Sequence, residues 1–148
     1  MKISEALRDV TCVFLDTAPV IYYVERHPSY AARVDPVFEG LDNGTFLAVT
    51  SPVTLAECLI LPLRLGEDKA QRDFTDLIVQ GAGITFVLLD ETVARRAAEL
   101  RARYHFTLAD AFQVAAAIYG GCNAFLTNDE DLKRVQEIRV LVLSEFEG

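Results

Sequence analysis

The sequence lacks the ligands of a zinc centre: its only histidines, His27 and His105, have no cysteine or histidine close by. Cysteine is scarce, and Cys12, Cys58 and Cys122 are odd in number, widely separated and embedded among apolar residues. They read as buried thiols of a reducing compartment rather than a disulfide framework. No apolar run approaches the roughly 18 residues of a membrane span. The start, Met1-Lys2-Ile3-Ser4-Glu5, carries an acid where a signal peptide would turn apolar. A cytoplasmic location with no membrane partner is therefore expected. Internal repeats, low-complexity segments and linkers are missing as well. Positive charge is the last shortage: 14 Lys and Arg face 22 Asp and Glu, for a net charge of -8. Taken alone this argues against nucleic acid, because phosphate binding draws on basic side chains.

What is present is an ordinary globular chain of 148 residues, 51% hydrophobic and 24% charged, expected to fold as one domain over 1–148. It is organised around Thr11-Cys12-Val13-Phe14-Leu15-Asp16, an apolar strand-forming run that ends on a carboxylate. Pro19 then falls in the first turn of a helix through Tyr22 and Tyr23. Further strands are predicted over Phe46–Thr50, Ile84–Leu89, Ala124–Thr127 and Val140–Leu143. Helices are predicted over Lys2–Asp9, Ser29–Asp42, Val53–Leu61, Glu67–Val79, Glu91–Tyr104, Thr107–Ile118 and Asp131–Gln136. Pro62 should end or bend the Val53–Leu61 helix. Strands alternating with helices imply an α/β fold with a parallel sheet and helices on both sides. Asp16 then lies at the carboxyl end of a strand, where open α/β sheets bind ligands.

The acids fall in unusual places. Asp16 is the only charged residue between Asp9 and Glu25, Glu57 the only one between Asp42 and Arg64, and Asp110 the only one between Arg103 and Asp129, with His105 neutral. A buried carboxylate without a partner costs several kcal/mol or takes up a proton. Basic residues are missing from all three segments, so a shared cation is the economical remedy. Asp129 follows the Ala124–Thr127 strand and reaches the same sheet edge as Asp16. Oxygen ligands of this kind suit Mg²⁺ or Mn²⁺. Simpler roles are open to each. Asp110 stands at capping-box spacing from Thr107, Asp16 can cap the next helix, and Asp129 can sit in a solvated turn. Asp131 is either a fifth ligand or a helix cap. Glu57 is hardest to explain away, being well inside an apolar helix.

Four pieces in order, Phe14-Leu15-Asp16-Thr17, Ser51-Pro52-Val53-Thr54-Leu55-Ala56-Glu57 with Pro62-Leu63-Arg64-Leu65-Gly66, Leu108-Ala109-Asp110-Ala111, and Phe125-Leu126-Thr127-Asn128-Asp129, resemble a PIN-domain nuclease. The chain is similar in particular to the VapC-type toxins of prokaryotic toxin-antitoxin pairs. The resemblance implies a PIN-like three-layer α/β/α fold with a central parallel five-stranded sheet. It also implies a metal-dependent endoribonuclease in which Asp16, Glu57, Asp110 and Asp129 hold one or two Mg²⁺ or Mn²⁺ ions that activate water. Asp16 and Asp110 are assigned as principal ligands, Asp129 as a further ligand, and Glu57 as a ligand or the acceptor orienting the water. RNA as substrate, a VapB-like antitoxin and a homodimer are the implied partners, the dimer formed through Val20–Val24 or Leu59–Leu65. The alternative is a non-catalytic PIN-like module that binds RNA or protein.

Two other folds with an acid after the first strand fit less well. A haloacid-dehalogenase phosphatase needs a second acid where Ala18 stands, and a receiver domain needs adjacent acids where Leu15 precedes Asp16. RNA binding by an acidic chain requires its bases to gather. On the helix Glu91–Tyr104, Arg95, Arg96 and Arg103 are expected on the outer side, at roughly 100° per residue. Lys69, Arg72, Lys133 and Arg134 are expected to extend that surface. The competing expectation is a solvated face paired with Glu91 and Glu99.

Overall fold

A computed structural model describes residues 1–148. Five strands, β1 (Cys12–Leu15), β2 (Leu47–Thr50), β3 (Ile84–Phe86), β4 (Ala124–Thr127) and β5 (Arg139–Val142), form one parallel sheet in the order β3-β2-β1-β4-β5. The connecting helices are α1 (Ile3–Ala6), α2 (Thr17–Val24), α3 (Ala31–Asp42), α4 (Pro52–Leu65), α5 (Asp68–Gln80), α6 (Glu91–Tyr104) and α7 (Leu108–Tyr119). This is the PIN-like α/β/α arrangement expected from the sequence. No helix is long and apolar enough to cross a membrane.

Alternation along the strands explains the layers. Val13 and Leu15 of β1, Ala48 of β2 and Ala124 and Leu126 of β4 enter one core with Val34, Phe38, Phe74 and Ile78 from α3 and α5. Phe14, Val49 and Phe125 point the other way, into a second core closed by Val93, Ala97 and Leu100 of α6 and Val114 of α7. Phe14 stacks on Phe125 at a centroid distance of 5.0 Å. Each such fully buried side chain stabilises the fold by about 1.5–3 kcal/mol. The sheet is apolar on both faces because both faces are covered.

The order of strands positions the ligand crevice. From β1 the chain winds outward through β2 to β3, then returns to place β4 on the opposite side of β1. The carboxyl ends of β1 and β4 therefore flank the point where the winding reverses. Because α7 leads into β4, its first turn lies at that same edge.

Several boundaries differ from the sequence reading. Helix α4 does not end near Pro62 but runs on to Leu65 and stops at Gly66, whose φ of 65° is left-handed. The lost donor is one bond, Pro62 is buried, and its carbonyl accepts from Glu67 N (2.9 Å) and Gln71 Nε2 (3.3 Å). Strand β3 stops at Phe86, opposite Thr50, because the residue after the neighbouring strand β2, Ser51, turns away to cap α4. Helix α1 is shorter than Lys2–Asp9, and α3 begins at Ala31. The segment expected to be helical from Asp131 is a 3₁₀ turn over Glu130–Arg134.

Candidate active site

Asp16, Glu57, Asp110 and Asp129 line one cavity of about 300 Å³, together with Thr17, Ala18, Ile21, Tyr22, Thr127 and Asn128. No lysine, arginine or histidine lines it. Four larger hollows, of about 510, 360, 550 and 440 Å³, contain none of these acids. The smaller cavity is preferred because it sits at the carboxyl edge of the sheet, beside the reversal point.

Each acid arrives by its own element. Asp16 follows β1 and occupies the cap position of α2, yet its side chain makes no capping bond. Instead Thr127 Oγ1 donates to Asp16 Oδ2 (2.7 Å) and Gln113 Nε2 to Oδ1 (3.3 Å). Helix capping is thus not what this carboxylate does. Asp110 is in the first turn of α7, where Thr107 Oγ1 accepts from its backbone N–H (3.1 Å). That is half of a capping box; the Asp110 carboxylate faces the cavity. Asp129 follows β4, and its Oδ1 accepts from Asp131 N (3.0 Å), so it also caps the 3₁₀ turn. Asp131 is exposed, does not cap this turn and does not line the cavity.

Glu57 departs from expectation. It is exposed, as are Ile60 and Leu61, so its isolation among apolar residues marks an uncovered end of α4 rather than burial. The desolvation argument therefore holds for Asp16 and Asp110 and not for Glu57 or Asp129. Glu57 is nonetheless fixed in the cavity, because Thr17 Oγ1 donates to its Oε1 at 2.7 Å.

Electrostatics follow from this burial. Desolvation pushes the Asp16 carboxyl up to about 6, against the hydrogen bonds from Thr127 and Gln113, and the Asp110 charge pushes the same way as desolvation. Asp110 is also raised, first by burial; the Thr107 hydroxyl opposes this, and Asp129, Glu57 and Asp131 reinforce it. An all-oxygen donor set that repels itself and has no basic partner fits a hard divalent cation. No three of these side chains are gathered closely enough to hold an ion as they stand.

A buried polar network beneath Asp16 went unassigned in the sequence. Gln113, 1% exposed, donates to Thr54 Oγ1 (2.7 Å) as well as to Asp16, and accepts from Ser51 Oγ. Thr127 is fully buried and accepts from Asp129 N (3.1 Å) while donating to Asp16. The available signal was a lone amide three residues after Asp110 in an otherwise apolar helix. Asn128 ties the β4 turn to α2 through the Tyr22 hydroxyl (3.1 Å) and accepts from Ser144 N (2.9 Å).

The expected basic surface is not free. Arg95 pairs with Glu91 (2.8 Å), Arg96 with Glu99 (3.1 Å), Arg103 with Glu137, Lys69 with Asp73 (2.7 Å) and Lys133 with Glu145 (2.7 Å). Helical spacing brings Lys69, Arg95 and Arg96 within reach of an acid. Arg103 and Lys133 meet acids of other segments, Arg134 is held by the Asp131 and Tyr104 carbonyls, and Arg72 alone of the set is exposed without an acidic partner. Of the two apolar stretches, Val20–Val24 packs on the core, whereas Ile60, Leu61, Leu63 and Leu65 are exposed.

Comparison with known proteins agrees with this architecture. The PIN domain family model matches residues 13–138. Among solved structures, VapBC2 of Rickettsia felis bound to a promoter DNA fragment aligns with a TM-score of 0.69 at 15% identity, covering 89% of this chain and 98% of that one. VapC20 of Mycobacterium tuberculosis, described as a sarcin-ricin loop cleaving toxin, gives 0.68 at 16% identity over 86% and 98%. FitAcB of Neisseria gonorrhoeae gives 0.60 at 22% identity over 90% and 99%. No curated protein matches the chain significantly.

Proposed function

This chain belongs to the PIN domain family, and from that premise we propose that it is a Mg²⁺- or Mn²⁺-dependent endoribonuclease, the toxin of a VapBC-type toxin-antitoxin pair. The observation that carries the reading is the single cavity shared by Asp16, Glu57, Asp110 and Asp129 without a basic side chain. Asp16 and Asp110 would be the principal metal ligands and Asp129 a further one. A divalent ion held there would supply Lewis-acid chemistry, making water more acidic and offsetting charge on the attacked phosphate. Thr127 and Gln113 hold the Asp16 carboxylate in one orientation. The Thr17 hydroxyl anchors Glu57 Oε1, which leaves Oε2 to orient the attacking water and accept its proton, or to serve as a ligand.

The partners that go with this reading are structured RNA, a VapB-like antitoxin and a second copy of the chain. The exposed apolar end of α4 gives the homodimer a surface that Val20–Val24 does not. A small DNA-binding protein encoded immediately upstream would support the antitoxin, and arrested growth on expression without it would support the toxin.

The decisive experiment uses purified, antitoxin-free protein with structured RNA, starting with the sarcin-ricin hairpin named for VapC20. Cleavage should require Mg²⁺ or Mn²⁺ and stop with chelator. Asp16→Asn and Asp110→Asn should each lower the rate more than about a hundredfold with an unchanged circular dichroism spectrum. Both variants cutting at the wild-type rate would remove the site assignment. The second reading, a non-catalytic module, is favoured by the ungathered acids. It predicts no calorimetric uptake of either ion.

A further inference from the structure

The amino edge of the sheet, opposite the acid cavity, holds a second cluster of reactive groups. Cys12 begins β1 and Cys122 immediately precedes the residues leading into β4, yet their Sγ atoms touch at 3.2 Å. Both are free thiols and both are half-buried, in contrast to Cys58, which is buried and separate. Of the three thiols expected to be buried, only Cys58 is, and the other two form a half-buried dithiol. We propose that Cys12 and Cys122 form a redox-modifiable site that takes a two-electron oxidant of the peroxide class and closes to an intramolecular disulfide.

The surrounding backbone presents the pair. Asn123 Oδ1 accepts from Thr11 N (3.1 Å) and Cys12 N (3.2 Å), its Nδ2 donates to Asp9 O (3.1 Å), and its own N–H donates to Cys12 O (3.0 Å). Gly121, at φ 79°, turns the chain out of α7 so that Cys122 faces Cys12. The two sulfurs are already in contact at 3.2 Å, so closing the bond asks each to move by only about half an ångström. Cys12, the less deeply buried, is held below the ordinary thiol range by the hydrogen bond from Cys122, while Cys122 is raised. Cys12 is thus the attacking sulfur and Cys122 the resolving one.

The chemistry balances. Cys12 thiolate attacks one peroxide oxygen, the O–O bond breaks, and Cys12 becomes a sulfenic acid as hydroxide leaves. Cys122 sulfur then displaces the sulfenic oxygen from Cys12, forming the S–S bond. In total two thiols give up two electrons and two protons, and hydrogen peroxide becomes two molecules of water. The bridge joins residues 110 apart in sequence, so it removes much freedom from the unfolded chain. It lies at the sheet edge away from Asp16 and does not depend on the nuclease reading.

The test is hydrogen peroxide titration of the full chain, followed by non-reducing peptide mapping and thermal melting. The expected result is one Cys12–Cys122 cross-linked peptide, Cys58 still alkylatable, and a melting temperature raised by about 5–10 °C that dithiothreitol reverses. Cys12→Ser and Cys122→Ser should each abolish the rise. Mapping of the unaltered chain decides the matter even if a variant folds poorly. Three free thiols after treatment, a bridge involving Cys58, bridges between molecules, or separate sulfinic acids at Cys12 and Cys122 would each overturn the proposal.

Discussion

Strand β1 has two ends that are built on opposite principles. At its amino end the nearby polar groups are paired: Asn123 alone accepts from the Thr11 and Cys12 backbone and donates to the Asp9 carbonyl, and the Asp9 carboxylate is neutralised by Arg139 at 3.0 Å. At its carboxyl end, Asp16 is a half-buried acid whose carboxyl is pushed up to about 6 by desolvation, with Asp110 adding to the repulsion. The same four strand residues therefore connect an edge organised for stability to one that is destabilised unless something neutralises it. Burial of charge is tolerated where chemistry needs it, and the cost is offset by the tied edge and the two cores.

The largest effect expected from this contrast is a gain. The Asp16 carboxyl has an ordinary value of 3.8 and a folded value of about 6, a difference of about 3 kcal/mol at most. Because the folded value is the higher one, protonation favours the native state. That contribution is complete below pH 3.8 and disappears as pH rises through about 6. Asp16→Asn should therefore stabilise the metal-free protein by up to about 3 kcal/mol at neutral pH, while destroying activity. Urea midpoints of the two proteins should converge as the pH falls below 3.8. A pH-independent gap would mean that packing rather than charge sets the difference.

Thr127→Val sharpens the same comparison one step away. It keeps the shape of a fully buried residue but deletes the hydroxyl that donates to Asp16 and accepts from Asp129 N. A loss of about 2 kcal/mol is expected where Asp16 is charged and less where it is protonated. Cleavage should fall by about tenfold to a hundredfold. At the other end, Asn123→Ala removes three side-chain bonds at an exposed position. It should cost about 1–2 kcal/mol, independent of pH in the acid range, with the cleavage rate per folded molecule unchanged. If Asn123→Ala impaired cleavage as strongly as Thr127→Val, the two edges would not be separate in function.

How much of this was legible in the sequence depends on the range of the signal. The run Cys12–Leu15 ending on Asp16, the helix Glu91–Tyr104 and the Thr107 cap are local, and residue order exposes them directly. Parallel pairing followed from the alternation of elements, whereas the strand order β3-β2-β1-β4-β5 is set by packing that no single segment displays. Contacts between distant residues did not. Gln113 lies 97 residues from Asp16 and Cys12 lies 110 from Cys122, and nothing in either segment names its partner. Glu57 was misread for a related reason: an apolar stretch looks the same whether it faces a core or a missing partner. Pro62 looked like a stop because its interrupted bond is local, whereas the contacts that carry α4 past it come from Gln71.

The smallest effects concern the arginines, and they test whether α6 takes part in the proposed binding of RNA. Arg95 and Arg96 are paired along α6 with exposed Glu91 and Glu99. Exposed pairs of this kind contribute about 0–1 kcal/mol, so a phosphate can replace the carboxylate at little cost. Arg95→Ala and Arg96→Ala should therefore leave stability within about 0.5 kcal/mol. If α6 faces the RNA, each should lower by nearly one the slope of log affinity against log salt. An unchanged slope would assign α6 to solvent and leave phosphate attraction to the neutralised cavity, which would tie RNA binding itself to divalent metal.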